Sequence, residues 1–550
     1  MLKTHGTLCL FLCMLMVTSV RTYQAKASMP LPEGRHFLGY LQSPAGSGTC
    51  NPCVENVIES INTLQNRGET LGFYWGDNYP AVAGSGTSNH WQGIQRLPLM
   101  GLAAPYLVVS SSHRYPINIP KPAYFAVVEM ESRGAVTGRL RSNRLEFGKL
   151  TRDVPPNPLD RIVKAQMITP EFDHAGAMQA IGKYLLVSAD ERTSDSQNLS
   201  LLTLWDMSTP YAPQNVWRDP AWELPGRYAG SVGIVKLENS KFLLVRALQD
   251  AKQLEFYILQ PDLEENPATY LDGSPWDTWD YRELKSDLHE ADGTLDLNWA
   301  DLYNVLGKAG YENVNIVTEC GSGRLYLIAS HGRRPSGFGG EDCVDAYRLE
   351  VPVERPKPDS PDGVIITKVA KRQLHPVGNA GARQGDLQAA AGIYVSPDNK
   401  LYFYATEHGV SGPGGSVTMI EFAPQVPRSN VTDIEDAWVE LYDEKKFDGR
   451  SIVLDYKDRK LRDYNHLENI ETFDNISSSV IYAIPEGYVL RLFSEGNQRG
   501  GYFDLVGTGQ AEKIEDFAGV ALSNGESADN RISSVKWHCT AVERDDAVSR

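Results

Sequence analysis

Five stretches of this 550-residue chain repeat one pattern, a turn followed by an aromatic or aliphatic strand, and that recurrence constrains the fold more than any other feature. They run from Pro105 to Ser110, Lys183 to Ser188, Lys241 to Arg246, Arg324 to Ala329 and Lys400 to Ala405, and their starts lie 78, 58, 83 and 76 residues apart. A short apolar strand precedes most of them (231–237, 313–318 and 389–396), joined by tight turns such as Pro397, Asp398 and Asn399. A third strand follows most of them, as at 254–259, 346–350 and 417–422. A strand, turn, strand, loop, strand unit repeated about five times, with almost no long amphipathic helix, is the layout of propeller blades. The class expected is therefore all-β, with a five- or six-bladed β-propeller-like domain over residues 86–423. The spacing exceeds the ~40 to 50 residues of compact propeller repeats, so long loops must be inserted. A pair of unrelated β-sandwiches is the competing architecture. Residues 28–85 hold one expected helix, 54–65, and either complete a blade or cap one end.

A single core stops growing near ~250 to 300 residues, so this length calls for at least two domains. The net charge of −17 repels phosphate, and no Lys/Arg-rich run offsets it locally, which argues against nucleic acid as a partner. The N-terminus carries Lys3 and His5, an apolar run over 8–17, and Ala25 and Ala27 ahead of Ser28, the layout of a cleaved secretory signal over residues 1–27. That run falls short of the roughly 20 apolar residues a membrane span needs, and no later stretch reaches it. The expectation is a secreted, extracellular protein with no membrane span. Cys9 and Cys13 leave with the signal, and Cys50, Cys53, Cys320, Cys343 and Cys539 remain. In an oxidising compartment the expected disulfides are Cys320 with Cys343, which bracket a strand and a Gly-rich loop, and Cys50 with Cys53, a distant partner for Cys50 remaining open. Sequons at Asn198, Asn430 and Asn475 mark a glycoprotein.

Over residues 424–435 the pattern stops in a Pro-punctuated polar linker, and a second repeat follows over 436–540. Tyr442 and Gly449 recur 51 residues later as Phe493 and Gly500, and the stretch Asp474 to Ser479 recurs 55 residues later as Asp529 to Ser534. Alternating strands such as 439–442 and 488–493 suit Greek-key sheets packed as a sandwich. The stretch from Tyr442 through Phe447 to Gly449 resembles the aromatic-x4-aromatic-x-Gly signature of the βγ-crystallin family; the second copy departs from it by placing Gln498 where the second aromatic would stand. The two six-residue stretches resemble that family's calcium motif, Asn/Asp-Asn/Asp-x-x-Ser/Thr-Ser, at every defined position. The resemblance covers about a fifth of the chain and implies a βγ-crystallin-like double Greek key with two calcium sites, each built from both stretches. Its implied ligands are Asp474, Asn475, Ile476 and Ser478 with Asp529, Asn530, Arg531 and Ser533, Ile476 and Arg531 acting through their carbonyls. The residue types support the same chemistry, since calcium takes about six to eight oxygens at ~2.3 to 2.6 Å and these loops offer carboxylate, amide, carbonyl and hydroxyl oxygens. The plainer alternative is that the Asp-Asn pairs form turns capped by Ser hydroxyls. A glycan on Asn475 would block its loop.

In a propeller, the loops between second and third strands and those leading into first strands share one mouth. His113, His331 and His408 lie seven or eight residues past the starts of three repeats, and His90 and His174 fall just ahead of first strands. Five imidazoles on one face, with Asp173, Asp386 and Glu407 nearby, would suit a transition metal or acid/base catalysis. Two function classes follow. One is a secreted calcium-binding protein whose propeller is a platform for an extracellular protein or glycan; the other is a secreted propeller enzyme, hydrolase or oxidoreductase, with a histidine-lined site. No Gly-rich phosphate loop, Gly-x-Ser-x-Gly turn or His-Glu-x-x-His helix points further toward the enzyme.

Overall fold

The structure, a computed structural model, describes the chain in stretches between residues 53 and 539; residues 1–52, 131–159, 290–310, 457–473, 540–550 and a number of shorter loops lie outside the description. The signal segment, Cys50, Asn198, Asn430, Gly449, Asp173 and His408 are among the residues outside it. The described residues are all-β, and the single α-helix among them, Val57–Asn62, is shorter than the expected 54–65. No helix among the described residues is long and apolar enough to cross a membrane.

All five repeated stretches are strands: Tyr106–Arg114, Tyr184–Asp190, Phe242–Leu248, Leu325–His331 and Leu401–Thr406. Each bonds antiparallel to the strand before it and to a strand that follows it, Ser416–Phe422 in the case of Leu401–Thr406, so each is the second strand of a meander. Every residue of Tyr184–Asp190 and of Phe242–Leu248 is buried, which is why these strands read as unbroken apolar runs rather than alternating ones.

The first strands of the five meanders are Ser88–Arg96, His174–Ile181, Ser231–Lys236, Asn313–Thr318 and Asp386–Val395. Each touches the next in chain order, and the fifth returns to the first through the parallel pair Gly93↔Ala391. A Cβ on Gly392 would stand 1.8 Å from the carbonyl oxygen of Ile94, so only glycine permits that approach. Gln179 ties three of these strands together. Its Oε1 accepts from the amides of Ile234 at 3.1 Å and Ile316 at 2.8 Å, and its Nε2 donates to the Ile316 carbonyl at 2.7 Å.

The fifth meander takes its last strand from the other end of the chain: Glu69–Tyr74 pairs antiparallel with Ser416–Phe422 along its whole length. The N-terminal segment thus supplies a missing strand. The fifth and first meanders join into one curled nine-stranded sheet, through Tyr74↔Arg161 and through the pairing of Ser88–His90 with Gly409–Ser411.

The disulfide pattern corrects both expected bridges. Cys53 bonds to Cys320, with the Cα atoms 5.0 Å apart. Cys320 lies just beyond Thr318, where its amide donates to the Val54 carbonyl at 2.8 Å, whereas Cys343 faces His331 across the sheet. The strand Leu325–His331 runs between those two places, a separation of about 20 Å, well over the ~7 Å Cα limit for a bridge. Bracketing a hairpin therefore put Cys320 and Cys343 at opposite ends of one strand. With Cys53 taken, the Cys50–Cys53 pair is excluded as well.

The C-terminal region forms two sheets. One runs in the order Ser451–Asp455, Trp438–Tyr442, Ser479–Ala483, Ala511–Ile514; the other is Arg499–Val506, Tyr488–Glu495, Ser534–Cys539. Ala511–Ile514 comes in chain order between Arg499–Val506 and Ser534–Cys539 of the second sheet yet bonds to Ser479–Ala483 in the first, so the two halves interlock. Val439, Leu441, Val480, Leu490, Leu505 and Val535 share the core. Gly500 adopts φ +78, the left-handed conformation that a turn at this point requires and that glycine takes without strain.

Candidate functional site

Each six-residue acidic stretch runs directly into a core strand, Ser479–Ala483 or Ser534–Cys539, and that common exit places the two loops side by side. Their backbones match. Asn475 and Asn530 both adopt φ +54, a conformation that Asn tolerates better than most residues. The Asn475 amide donates to the Ile532 carbonyl at 3.0 Å, and the Asn530 amide donates to the Ser477 carbonyl at 2.9 Å, so each loop is bonded to the other. The side chains repeat the exchange: Ser533 Oγ donates to Asn475 Oδ1 at 2.9 Å, and Ser478 Oγ donates to Asn530 Oδ1 at 3.2 Å. Each loop is also tied to its hairpin aromatic, the Ser478 amide donating to the Tyr442 carbonyl at 2.7 Å and the Ser533 amide to the Phe493 carbonyl at 2.8 Å.

All eight residues implied by the motif thus lie on two adjoining loops. Within them Asp474 Oδ1 and Asp529 Oδ1 are shut away from solvent with no hydrogen-bond partner, as is the hydroxyl of Ser477. A buried carboxylate oxygen without a donor is costly, and here it occurs twice at matched positions. The Arg531 side chain pairs with Glu526 at 3.2 Å, leaving its carbonyl as the group it can offer the loop. Oxygens alone make up the donor set, which suits a hard cation and not a soft or borderline transition metal.

The histidine positions are differently arranged. His174 is buried at the start of its strand, and its Nδ1 lies 2.6 Å from Oδ1 of Asp190, its register partner. His331 ends its strand with Nε2 3.8 Å from Asp345 Oδ2, and that same oxygen meets Lys368 Nζ at 3.2 Å and the Tyr311 and Tyr347 hydroxyls. Each of these two histidines is therefore engaged by a carboxylate of its own sheet. His90 and His113 stand on paired strands, His90 opposite Ser112 and His113 opposite Asn89. Glu407 is buried, its Oε1 accepting from the Thr418 amide at 2.7 Å. Among the described residues no three His, Cys, Asp or Glu side chains meet in an arrangement that could hold a metal ion.

A small cavity of about 40 Å³ opens at the other end of the first strands, with Arg96, Gln179, Gly182, Val317 and Ile393 in its wall. Sequence reasoning missed the Asp345–Lys368 pair, buried on both sides. No sequence signal marked it, because both strands carry further charged residues, Arg348 and Glu350 in one and Lys371 and Arg372 in the other.

No protein-family model matches the chain, and no curated protein matches it. Among solved structures it is similar to the N-terminal domain of Protein S, at 18% identity over 19% of this chain and 97% of that one, with a TM-score of 0.14. A βγ-crystallin domain from Flavobacterium johnsoniae is similar at 16% identity over 19% of this chain and 97% of its own, with the same TM-score of 0.14. The RS223 β-xylosidase is similar at 12% identity over 60% of this chain and 92% of its own, with a TM-score of 0.32.

Proposed function

We propose that the C-terminal region is a βγ-crystallin-like double Greek key that binds two calcium ions, and that the five meanders form a five-bladed propeller presenting a binding surface for an extracellular protein or glycan. The observation that carries the calcium reading is the matched pair of buried, undonated oxygens, Asp474 Oδ1 and Asp529 Oδ1, each beside an Asn–Ser pair that joins the two loops. Asp474, Asn475, Ile476 and Ser478 with Asp529, Asn530, Arg531 and Ser533 would hold the ions. When bound, calcium supplies the positive charge that these carboxylates lack. The propeller reading is supported by five meanders of at least four strands whose first strands contact one another in sequence, the fifth being completed by Glu69–Tyr74.

Calorimetry on the full chain, without a glycan at Asn475, should report two calcium ions bound with dissociation constants in the range of about 10⁻⁶ to 10⁻³ M. Calcium at about 100 times that constant should add roughly 2.7 kcal/mol per site to the folded state. Magnesium, with its stricter octahedral shell, should substitute poorly. Ser478→Arg and Ser533→Arg each remove a hydroxyl and bring a cation into a cation site, so each should lower the stoichiometry or affinity. A wild-type chain that gives no heat and whose melting curve is unmoved by millimolar calcium would sink the calcium reading.

A further inference from the structure

Three separate parts of the chain meet at Arg372. It lies near the end of the strand Ile365–Gln373, in the fourth meander, with its side chain buried. Its Nε and Nη2 donate to the Leu64 carbonyl at 3.1 and 2.9 Å, just past the helix Val57–Asn62, and its guanidinium lies 5.9 Å from the centre of the Tyr442 ring in the C-terminal region. Tyr442 is also the residue whose carbonyl receives the Ser478 amide, so a single residue separates the calcium loop from Arg372. Burial, then Glu440, pushes the Tyr442 phenol well up, so the ring stays neutral and keeps an electron-rich face toward the cation.

The connecting segment is anchored to the meander side at one end and to the C-terminal region at the other. Leu64 bridges to Pro424, the Gln65 amide donates to the Ala423 carbonyl at 3.0 Å, and the Val431 amide donates to the Gly509 carbonyl at 2.7 Å. Among the described residues the second loop shows no such link: Phe493, which plays the part of Tyr442 there, pairs its ring with Tyr502 inside the same sheet. A buried guanidinium is tolerated only while its partners stay in place, so anything that fixes the Tyr442 backbone also fixes this junction.

We propose that calcium at the paired loops tightens the hold of the C-terminal region on the meanders through Tyr442 and Arg372. This rests on the calcium reading above and adds regulation to it. Coupling of this kind is reciprocal, so docking through Arg372 raises calcium affinity by the same factor by which calcium strengthens docking.

The test uses the full chain. In the wild type, calcium should slow hydrogen exchange at the Gln65 amide, which bonds to Ala423 on the meander side next to Leu64, and at the Val431 amide, which ties the linker to Gly509 of the C-terminal region, the two amides flanking the junction. Arg372→Met should lose that protection and bind calcium about fivefold or more weakly, and Arg372→Lys, which keeps a donor for Leu64 but not the flat cation over the ring, should fall between. If the wild type binds calcium while those two amides exchange at unchanged rates, the coupling is overturned and the calcium reading stands. That measurement decides the matter even if Arg372→Met fails to fold. Wild-type affinity in a folded Arg372→Met would overturn the coupling too, and absence of any calcium heat in the wild type would overturn both.

Discussion

In the meanders the buried carboxylates of Asp190 and Asp345 each stand against a basic group, His174 at 2.6 Å and Lys368 at 3.2 Å, even though Asp345 keeps a second oxygen without a donor, whereas in the C-terminal loops Asp474 and Asp529 each hold a buried oxygen without a donor and pair with no basic side chain among the described residues. The difference separates two uses of a buried carboxylate. Where a neighbouring cation or imidazole already answers the charge, the group holds the fold together. Where two loops converge without such a partner, the proposed calcium ions would supply the missing charge.

The largest test of that contrast is covalent. The Cys53–Cys320 bridge closes a loop of 267 residues, and on a chain-entropy account its loss costs about 5 kcal/mol. Cys53→Ser should therefore lower the unfolding transition of the meanders by many degrees while leaving the calcium heat intact. An unmoved transition in calorimetry would show that the meanders hold themselves closed without the staple.

A smaller effect is expected at His174. Asp190→Ala removes its buried carboxylate partner and should cost about 1 to 3 kcal/mol, read as a lower denaturant midpoint. The same variant sharpens the comparison by elemental analysis. A stoichiometric transition metal in the wild type, lost in Asp190→Ala, would mean that the meanders also hold a ligand site.

The smallest effect is electrostatic and should be shared by both regions. Burial works against ionisation of Asp206, but hydrogen bonds from Ser208 and the Lys183 ammonium outweigh it and hold the carboxyl below its ordinary range. The Ala518 amide, followed by Lys445, does the same for the exposed Asp516. A carboxyl depressed in the folded state contributes stability above its unfolded pKa of about 4 and loses it as the pH falls through the folded value. Asp206→Asn should thus lower stability at pH 7, by under about 1 kcal/mol because the pair is largely solvated, and have little effect near pH 2. Asp516→Asn should show the same direction in the C-terminal transition. A larger effect at pH 2 than at pH 7 would contradict both.

The second strands were legible because burial on both faces makes runs such as Leu185, Leu186 and Val187 unmistakable. The acidic loops were legible because every side chain they contribute is contiguous in sequence. The disulfide was not, since it depends on which end of the strand Leu325–His331 each cysteine occupies, and spacing alone carries no such direction. Arg372 was invisible for a related reason: its two partners, Leu64 and Tyr442, lie far away in both directions along the chain. The strand Glu69–Tyr74 shows an apolar pattern of its own, but nothing local names a partner more than three hundred residues downstream.

That strand also sets a clock on synthesis. Glu69–Tyr74 leaves the ribosome about 350 residues before Ser416–Phe422, and at about 5 to 20 residues per second the interval is roughly 20 to 70 seconds. Throughout it the nascent chain carries a strand whose antiparallel mate has not been translated and which has only the single pair Tyr74↔Arg161 on its other edge, an open template for any other strand nearby. Contacts of such long range also slow folding once the chain is complete. Ribosome pauses between residues 74 and 416 should therefore reduce the yield of native protein more than pauses of equal length placed after residue 422, where the mate is already available.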